Sequence, residues 1–222
     1  MDRLETIFNK QVELIKRFHD IEVANGNMQT EDFPVNLHDR KGQYRLKDMA
    51  WRFTEESAEA IEVYINPMED HDCDLFEELV DGLHFLAEFT INAGFTPTDL
   101  TGILSYTNLE GMEDSLDYLY FMGTQIATRC SALDELNGKD SEFENIYTRL
   151  IMWLGMTCNT LRNKPWKQRD TETNVELFLL RLQNVWTHYM ALMSSAGMSQ
   201  KDIYIGYMSK HQKNHERIDT GQ

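Results

Sequence analysis

WRFTEESAEAIEV at residues 51–63 and LFEELVDGLHF at 75–85 decide how this chain is read. The first carries Glu55, Glu56 and Glu59; the second carries Glu77, Glu78 and Asp81. Glu56 and Glu59 are three apart, as are Glu78 and Asp81. On a helix that spacing sets both carboxylates of a pair on one face, with Cβ atoms about 5–6 Å apart. Most acidic helical runs are solvated faces. Glu78 and Asp81, however, are interleaved with Leu75, Phe76, Leu79, Val80, Leu83 and Phe85, which a solvated face would not carry. Between the segments lies INPMEDHDCD at 65–74, whose Pro67 and acids suit a tight connection between antiparallel neighbours. If the two faces point inward, four carboxylates meet, and each close pair repels by roughly 4 kcal/mol at an effective dielectric near 20. A fold keeps that arrangement when a cation offsets it. An all-oxygen ligand set points to Mg²⁺, with Mn²⁺ as the alternative.

Working outward, the rest of the chain reads as helix after helix. Residues 2–24 carry Leu4, Ile7, Phe8, Gln11, Leu14, Ile15, Phe18 and Ile21 at three-to-four spacing. Gln11 interrupts that stripe, as a core-edge amide satisfied by backbone or as a hydrogen-bonding group for a ligand's base edge. Residues 25–47, opened by Asn25-Gly26-Asn27, read as a long connection with Pro34, Gly42 and the basic Arg40, Lys41, Arg45 and Lys47. The acidic helices are expected at 48–65 and 74–93. A short helix follows at 98–109, then helices at 113–136, 142–163, 173–195 and 199–217. The fold class is all-α, a helical bundle in one domain over 1–222.

Two ends look alike: INAGFTPTDL at 91–100 and SSAGMSQKDI at 194–203, an offset of 103. Carried upstream, the offset sets Arg181 against Glu78, Asn184 against Asp81, Asn159 against Glu56 and Arg162 against Glu59, while Leu79 meets Leu182 and Thr54 meets Thr157. This reads as a degenerate duplicated helix-pair unit, 48–110 and 150–217, in which one copy keeps the acids.

The formal net charge is −16, which argues against nucleic-acid polymers and anionic membranes as partners. It leaves room for a phosphate-bearing small ligand, because bound divalent ions reverse the local sign. Cys73, Cys130 and Cys158 form no CxxC pair and are odd in number, so a reducing, cytoplasmic location is expected. The N-terminus lacks a signal-peptide core, and no apolar run is long enough to span a membrane.

Two further stretches are polar in an informative way. RNKPWKQR at 162–169 sets Arg162, Lys164, Lys167 and Arg169 around Trp166. That is a surface turn, or a nucleotide contact combining ring stacking with bonds to phosphate. In the tail, Lys210, Lys213 and Arg217 share one helix face with Asn214. Such a tail is a solvated helix, or it folds over the metal site and supplies phosphate donors. His84, three after Asp81, reads as a core or supporting histidine rather than a ligand.

Taken together, Glu55-Glu56-Ser57-Ala58-Glu59, Glu78-Leu79-Val80-Asp81, EELVDGLHF followed by INAGF, and the KHQKNHERIDTG tail resemble the all-α NTP pyrophosphatase superfamily, which includes MazG-type enzymes. The dimeric all-α dUTPase branch, with the T-even phage dCTPase-dUTPase type, is the most similar. The resemblance implies a Mg²⁺-dependent homodimer that hydrolyses dUTP, with dUDP and dCTP as further substrates, to the nucleoside monophosphate. Glu56, Glu59, Glu78 and Asp81 would hold the metal, and Glu56 would also orient or deprotonate the attacking water. Lys210, Asn214 and Arg217 would bind phosphates, Gln11 would sit at the pyrimidine, and Trp51 or Trp166 would wall the base pocket. The chain departs from the family at Ile15, where an Asn is usual, and at Lys210-His211, Arg217-Ile218 and Gly221-Gln222 in the tail. These departures bear on the base, and leave cytosine or a modified pyrimidine open beside uracil. The competing readings are a dCTP-specific or broader MazG-like pyrophosphohydrolase and a non-catalytic helical adaptor. Phosphoribosyl-ATP pyrophosphohydrolase shares the carboxylate pattern, but the long duplicated chain argues against it.

Overall fold

Several helices start where the sequence supplies a side-chain acceptor for their free amides. Asp2 accepts from the Glu5 amide and opens α1, Arg3–Ala24; Asp39 accepts from Gly42 and opens α2, Arg40–Ile65. There follow α3, His71–Asn92; α4, Pro97–Thr101; α5, Ser115–Asn137; α6, Glu142–Cys158; α7, Val175–Ser195; and α8, Gln200–Thr220. The computed structural model describes residues 1–26, 34–66, 71–102, 112–137, 141–164 and 166–221. Among the described residues there is no strand, so the chain is an all-α bundle. None of its described helices is long and apolar enough to cross a membrane.

α2 packs on α3, and α6 on α7. α5 covers α7, while α1 and α8 close over α3. The core runs through all of them. Trp186, Tyr189, Tyr207, Phe53, Phe89, Phe143 and Phe178 are its largest fully buried side chains. The Trp186 indole donates to Thr90 at 2.8 Å and joins α7 to α3. Arg3 pins the start of α1 to α5, reaching Asp114 at 2.6 Å and Asp117 at 2.6 Å. α3 and α7 end alike: Gly94 and Gly197 take left-handed φ of 84° and 87°. Thr96 with Asp99, and Ser199 with Asp202, then form matching capping boxes at the starts of α4 and α8.

Three boundaries differ from the sequence expectation by five residues or more. α2 begins at Arg40 rather than 48. The basic residues at 40–47 read as loop, yet Gln43, Leu46, Met49 and Ala50 form one buried stripe once Asp39 caps it. α6 stops at Cys158 rather than 163, because the chain beyond it turns onto α2. There Gln43, fully buried, accepts from the Asn163 amide at 2.8 Å and donates to the Thr171 carbonyl at 2.9 Å and Leu37 carbonyl at 3.0 Å. α4 ends at Thr101, followed by Gly102 with φ of 72°. The remainder of the expected 98–109 helix lies outside the described residues, as do 27–33 of the first connection and 67–70 of the second.

Candidate active site

α1, α2, α3 and α8 enclose a cavity of about 320 Å³. Helical arithmetic explains its walls. On α2, Arg45, Met49, Arg52 and Glu56 fall on one stripe; on α3, Asp81, His84, Phe85, Glu88 and Asn92 do the same. α1 contributes Gln11, Leu14, Ile15 and Phe18, and α8 contributes Lys210, Asn214 and Arg217.

The carboxylates gather at one end. Glu56, Glu59 and Glu78 each offer an oxygen, and these lie within 4.8 Å of one another. Glu56 belongs both to this cluster and to the cavity wall. Burial pushes the Glu56 carboxyl up to about 7, aided by the charges of Asp81, Glu59 and Glu78. Burial also raises the Glu78 carboxyl, with Glu59 and Asp81 adding to it. Asp81 stands beside the cluster with its own partner: the Lys210 ammonium donates to Asp81 Oδ2 at 2.5 Å and to Glu77 Oε1 at 3.2 Å. Burial outweighs even that contact and raises the Asp81 carboxyl. The Lys210 ammonium is opposed by burial, but Asp81 and Glu77 hold it charged. Lys213 also reaches Glu77, at 3.3 Å.

The other end is built on Gln11, only 1% exposed. The Tyr207 hydroxyl donates to Gln11 Oε1 at 2.7 Å, and His84 Nδ1 stands 2.9 Å from the same oxygen. A carbonyl oxygen only accepts, so His84 Nδ1 carries its proton and Nε2 holds a lone pair. That Nε2 is buried and has no partner among the described residues. Burial, with the charges of His211 and Lys210, lowers the His84 imidazole to about 3, so it stays neutral. His84 stacks on Tyr207 at 4.1 Å. With its oxygen engaged twice, Gln11 has no partner for its amide N–H groups among the described residues. Glu88, one turn beyond His84, is raised by burial to about 7 although Arg45 opposes the shift.

The structure therefore brings Gln11, Glu56, Asp81, Lys210, Asn214 and Arg217 to one cavity, with Glu59 and Glu78 at its edge. Trp51, Lys164, Trp166 and Lys167 do not line it. Trp51 is 62% exposed and donates to Glu55 at 2.8 Å; Trp166 is 78% exposed. Lys164 and Lys167 belong to the chain that follows α6, which docks on α2 away from the cavity: Lys47 donates to the Asn163 carbonyl and Arg40 to the Lys167 carbonyl, both at 2.9 Å. His84, Glu88, Arg45, Arg52 and Tyr207 are the lining and supporting residues that the sequence did not single out for binding. The three-to-four spacing from Asp81 through His84 to Glu88 was the available signal.

An all-helical bundle with a carboxylate cluster beside a nucleoside-sized, polar-ended cavity is the form of a nucleotide phosphohydrolase. A family model described as dUTPase matches residues 65–221, and the chain belongs to that family. It is thus a dUTP diphosphatase, a hydrolase of nucleotide metabolism, which sets aside the non-catalytic adaptor. No curated protein and no solved structure matches the chain. The matched span includes Glu78, Asp81, Lys210, Asn214 and Arg217 but starts after Glu56 and Glu59. Their place opposite Glu78 comes from the packing of α2 on α3. The donor set fits a divalent ion: three hard oxygens, two of them half-buried, whose mutual repulsion a cation would offset.

Proposed function

We propose that the chain hydrolyses dUTP to dUMP and pyrophosphate with Mg²⁺, in the cytoplasm. The observation that carries this is Glu56, which joins the carboxylate cluster to the cavity holding Gln11 and His84. Glu56, Glu59 and Glu78 would hold the ion, with Asp81 joining them from its Lys210 contact. A divalent ion there would offset the carboxylates and polarise the phosphoryl group under attack. Lys210, Asn214 and Arg217 would donate to phosphate oxygens and stabilise the charge moving onto the departing pyrophosphate. Glu56, whose carboxyl sits at about 7, would take the proton of the attacking water. At the far end, the Gln11 amide would donate to uracil O4, and His84 Nε2 would accept from N3–H. α3 carries a group of each end, Asp81 beside the carboxylates and His84 one turn on at the base.

Turnover of dUTP, dUDP, dCTP and dATP, with Mg²⁺, with Mn²⁺ and with EDTA, checks this. Pyrimidine nucleotides are expected to be cleaved only with metal. Gln11→Leu is expected to raise the KM for dUTP about tenfold, the worth of one lost hydrogen bond. Equal rates on dATP would sink the pyrimidine assignment. A second reading, dCTP, is favoured by the same pair of groups: cytosine offers N4–H beside an accepting N3, so His84 and Gln11 complement it in the opposite order.

We also read α2–α3 and α6–α7 as copies of one unit, supported by their matching ends 103 residues apart. The chain would work as a homodimer, supported by Phe121, Met122 and Leu136, which α5 leaves exposed. Sedimentation velocity is expected to give twice the chain mass of 26.0 kDa; a monomer at assay concentration would refute it.

A further inference from the structure

Away from the carboxylates, α8 turns a different set of donors toward α1. His211 and His215 are one turn apart, with ring centroids 4.4 Å and Nε2 atoms 3.1 Å from each other. Glu13 of α1 faces them, and one donor atom from each of the three lies within 4.8 Å of the others. His211 is 8% exposed, and its Nε2 also stands 3.0 Å from the Lys10 carbonyl oxygen.

Protons alone cannot satisfy these contacts. The Arg17 guanidinium, 2.5 Å from His215 Nδ1, makes that nitrogen an acceptor and moves the ring proton to Nε2. That proton then points at His211 Nε2, which must accept it. A nitrogen accepting there has no hydrogen for the Lys10 carbonyl, so a lone pair faces a carbonyl oxygen. A cation among the two imidazoles and the carboxylate takes both Nε2 lone pairs and makes their short separation an edge of a coordination sphere; the His215 proton then sits on Nδ1, and Arg17 turns from that nitrogen to Asp219. Two nitrogens bound tetrahedrally at about 2.0–2.1 Å lie about 3.3 Å apart, close to the spacing found.

We propose that Glu13, His211 and His215 form a second metal site, for a borderline transition ion of the Zn²⁺ class. Two imidazoles and one carboxylate select such ions over Mg²⁺. Histidines at i and i+4 on one helix face, facing a third ligand on a neighbouring helix, meet the geometric need. The competing contacts are weak ones. Lys10 holds Glu13 at 2.9 Å in an exposed pair, and Arg17 keeps Asp219 as a second partner if it leaves His215. The consequence reaches the cavity, because His211 adjoins Lys210, His215 adjoins Asn214, and Glu13 lies two residues from Gln11. An ion there would clamp the two helices that carry the phosphate donors and the base amide. This inference does not depend on which nucleotide is hydrolysed.

Zn²⁺ titration by calorimetry on the intact protein in excess Mg²⁺ tests it, with Co²⁺ absorption as the report on ligand type. One Zn²⁺ per chain is expected, with an imidazole-type Co²⁺ spectrum. His215→Asn and Glu13→Gln should each weaken binding by about tenfold or more, while Glu78→Gln leaves it unchanged. Glu13 is exposed, so its variant keeps the test valid should the histidine variant misfold. Absence of binding in excess Mg²⁺, or binding lost in Glu78→Gln but kept in Glu13→Gln and His215→Asn, would overturn the proposal.

Discussion

Glu56→Gln is expected to lower metal-dependent dUTP hydrolysis by about 10³-fold, within the range of a lost catalytic base, and to make the metal-free protein more stable at pH 8. Both effects have one cause. Three carboxylates crowd a half-buried spot, and burial with their mutual repulsion lifts the Glu56 carboxyl from 4.5 to about 7. Between those two values the folded chain holds a proton that the unfolded chain has released. Stability contributed by this group therefore falls as pH rises from about 4.5 to about 7, and stays lost above. Taken at face value the shift is worth about 3 kcal/mol; Glu56 is partly solvated, so about 1 kcal/mol is the expected gain in the variant. Urea denaturation in EDTA should show that gain at pH 8 and not at pH 4. A variant that is no more stable at pH 8, or that still turns over dUTP with Mg²⁺, would refute the role given to Glu56.

Gly82→Ala should cost about 3 kcal/mol, from overpacking plus a lost hydrogen bond, and should take activity with it. A Cβ at Gly82 would lie 2.2 Å from the Tyr189 hydroxyl oxygen and 3.1 Å from its ring carbon. Tyr189 has nowhere to go. It is fully buried, its hydroxyl donates to the Leu79 carbonyl at 2.5 Å, and its ring meets Phe53 edge-on at 5.1 Å. The clash must push α3 away from α7, and Asp81 and His84 travel with α3. Tyr189→Phe removes the offending oxygen, so the double variant should recover part of the loss. Denaturation midpoints and dUTP turnover for the four proteins of that cycle decide it; additive losses would show that the two residues are not in contact.

The bundle was legible because its signals are local. Apolar stripes recur every three to four residues, and Ala-Gly pairs followed by Thr-x-x-Asp or Ser-x-x-Asp mark helix junctions. The carboxylates were legible for the same reason, since a three-residue spacing fixes a shared face without knowledge of the partner helix. Face assignment at longer range was not legible. Trp166 with Lys164 and Lys167 has the composition of a nucleotide contact, but composition does not say on which side of α2 the loop lands. Gln43 decides that, through bonds spanning 120 residues and more, and no local pattern announces it. His84 was passed over because a lone histidine among apolar neighbours is usually satisfied. Its unpartnered Nε2 is visible only once Tyr207 and Gln11 have taken their places.

Lys210 is a counterion that the chain carries within itself. In the resting protein its ammonium does for Asp81 and Glu77 part of what a dissolved cation would do, so the acidic cluster is never left wholly uncompensated. A phosphate that draws the ammonium away leaves Asp81 needing a new positive neighbour. A metal that claims Asp81 leaves the ammonium seeking an anion. Each ligand would thus prepare the place of the other, and by linkage whatever one gained in affinity from the exchange the other would gain equally.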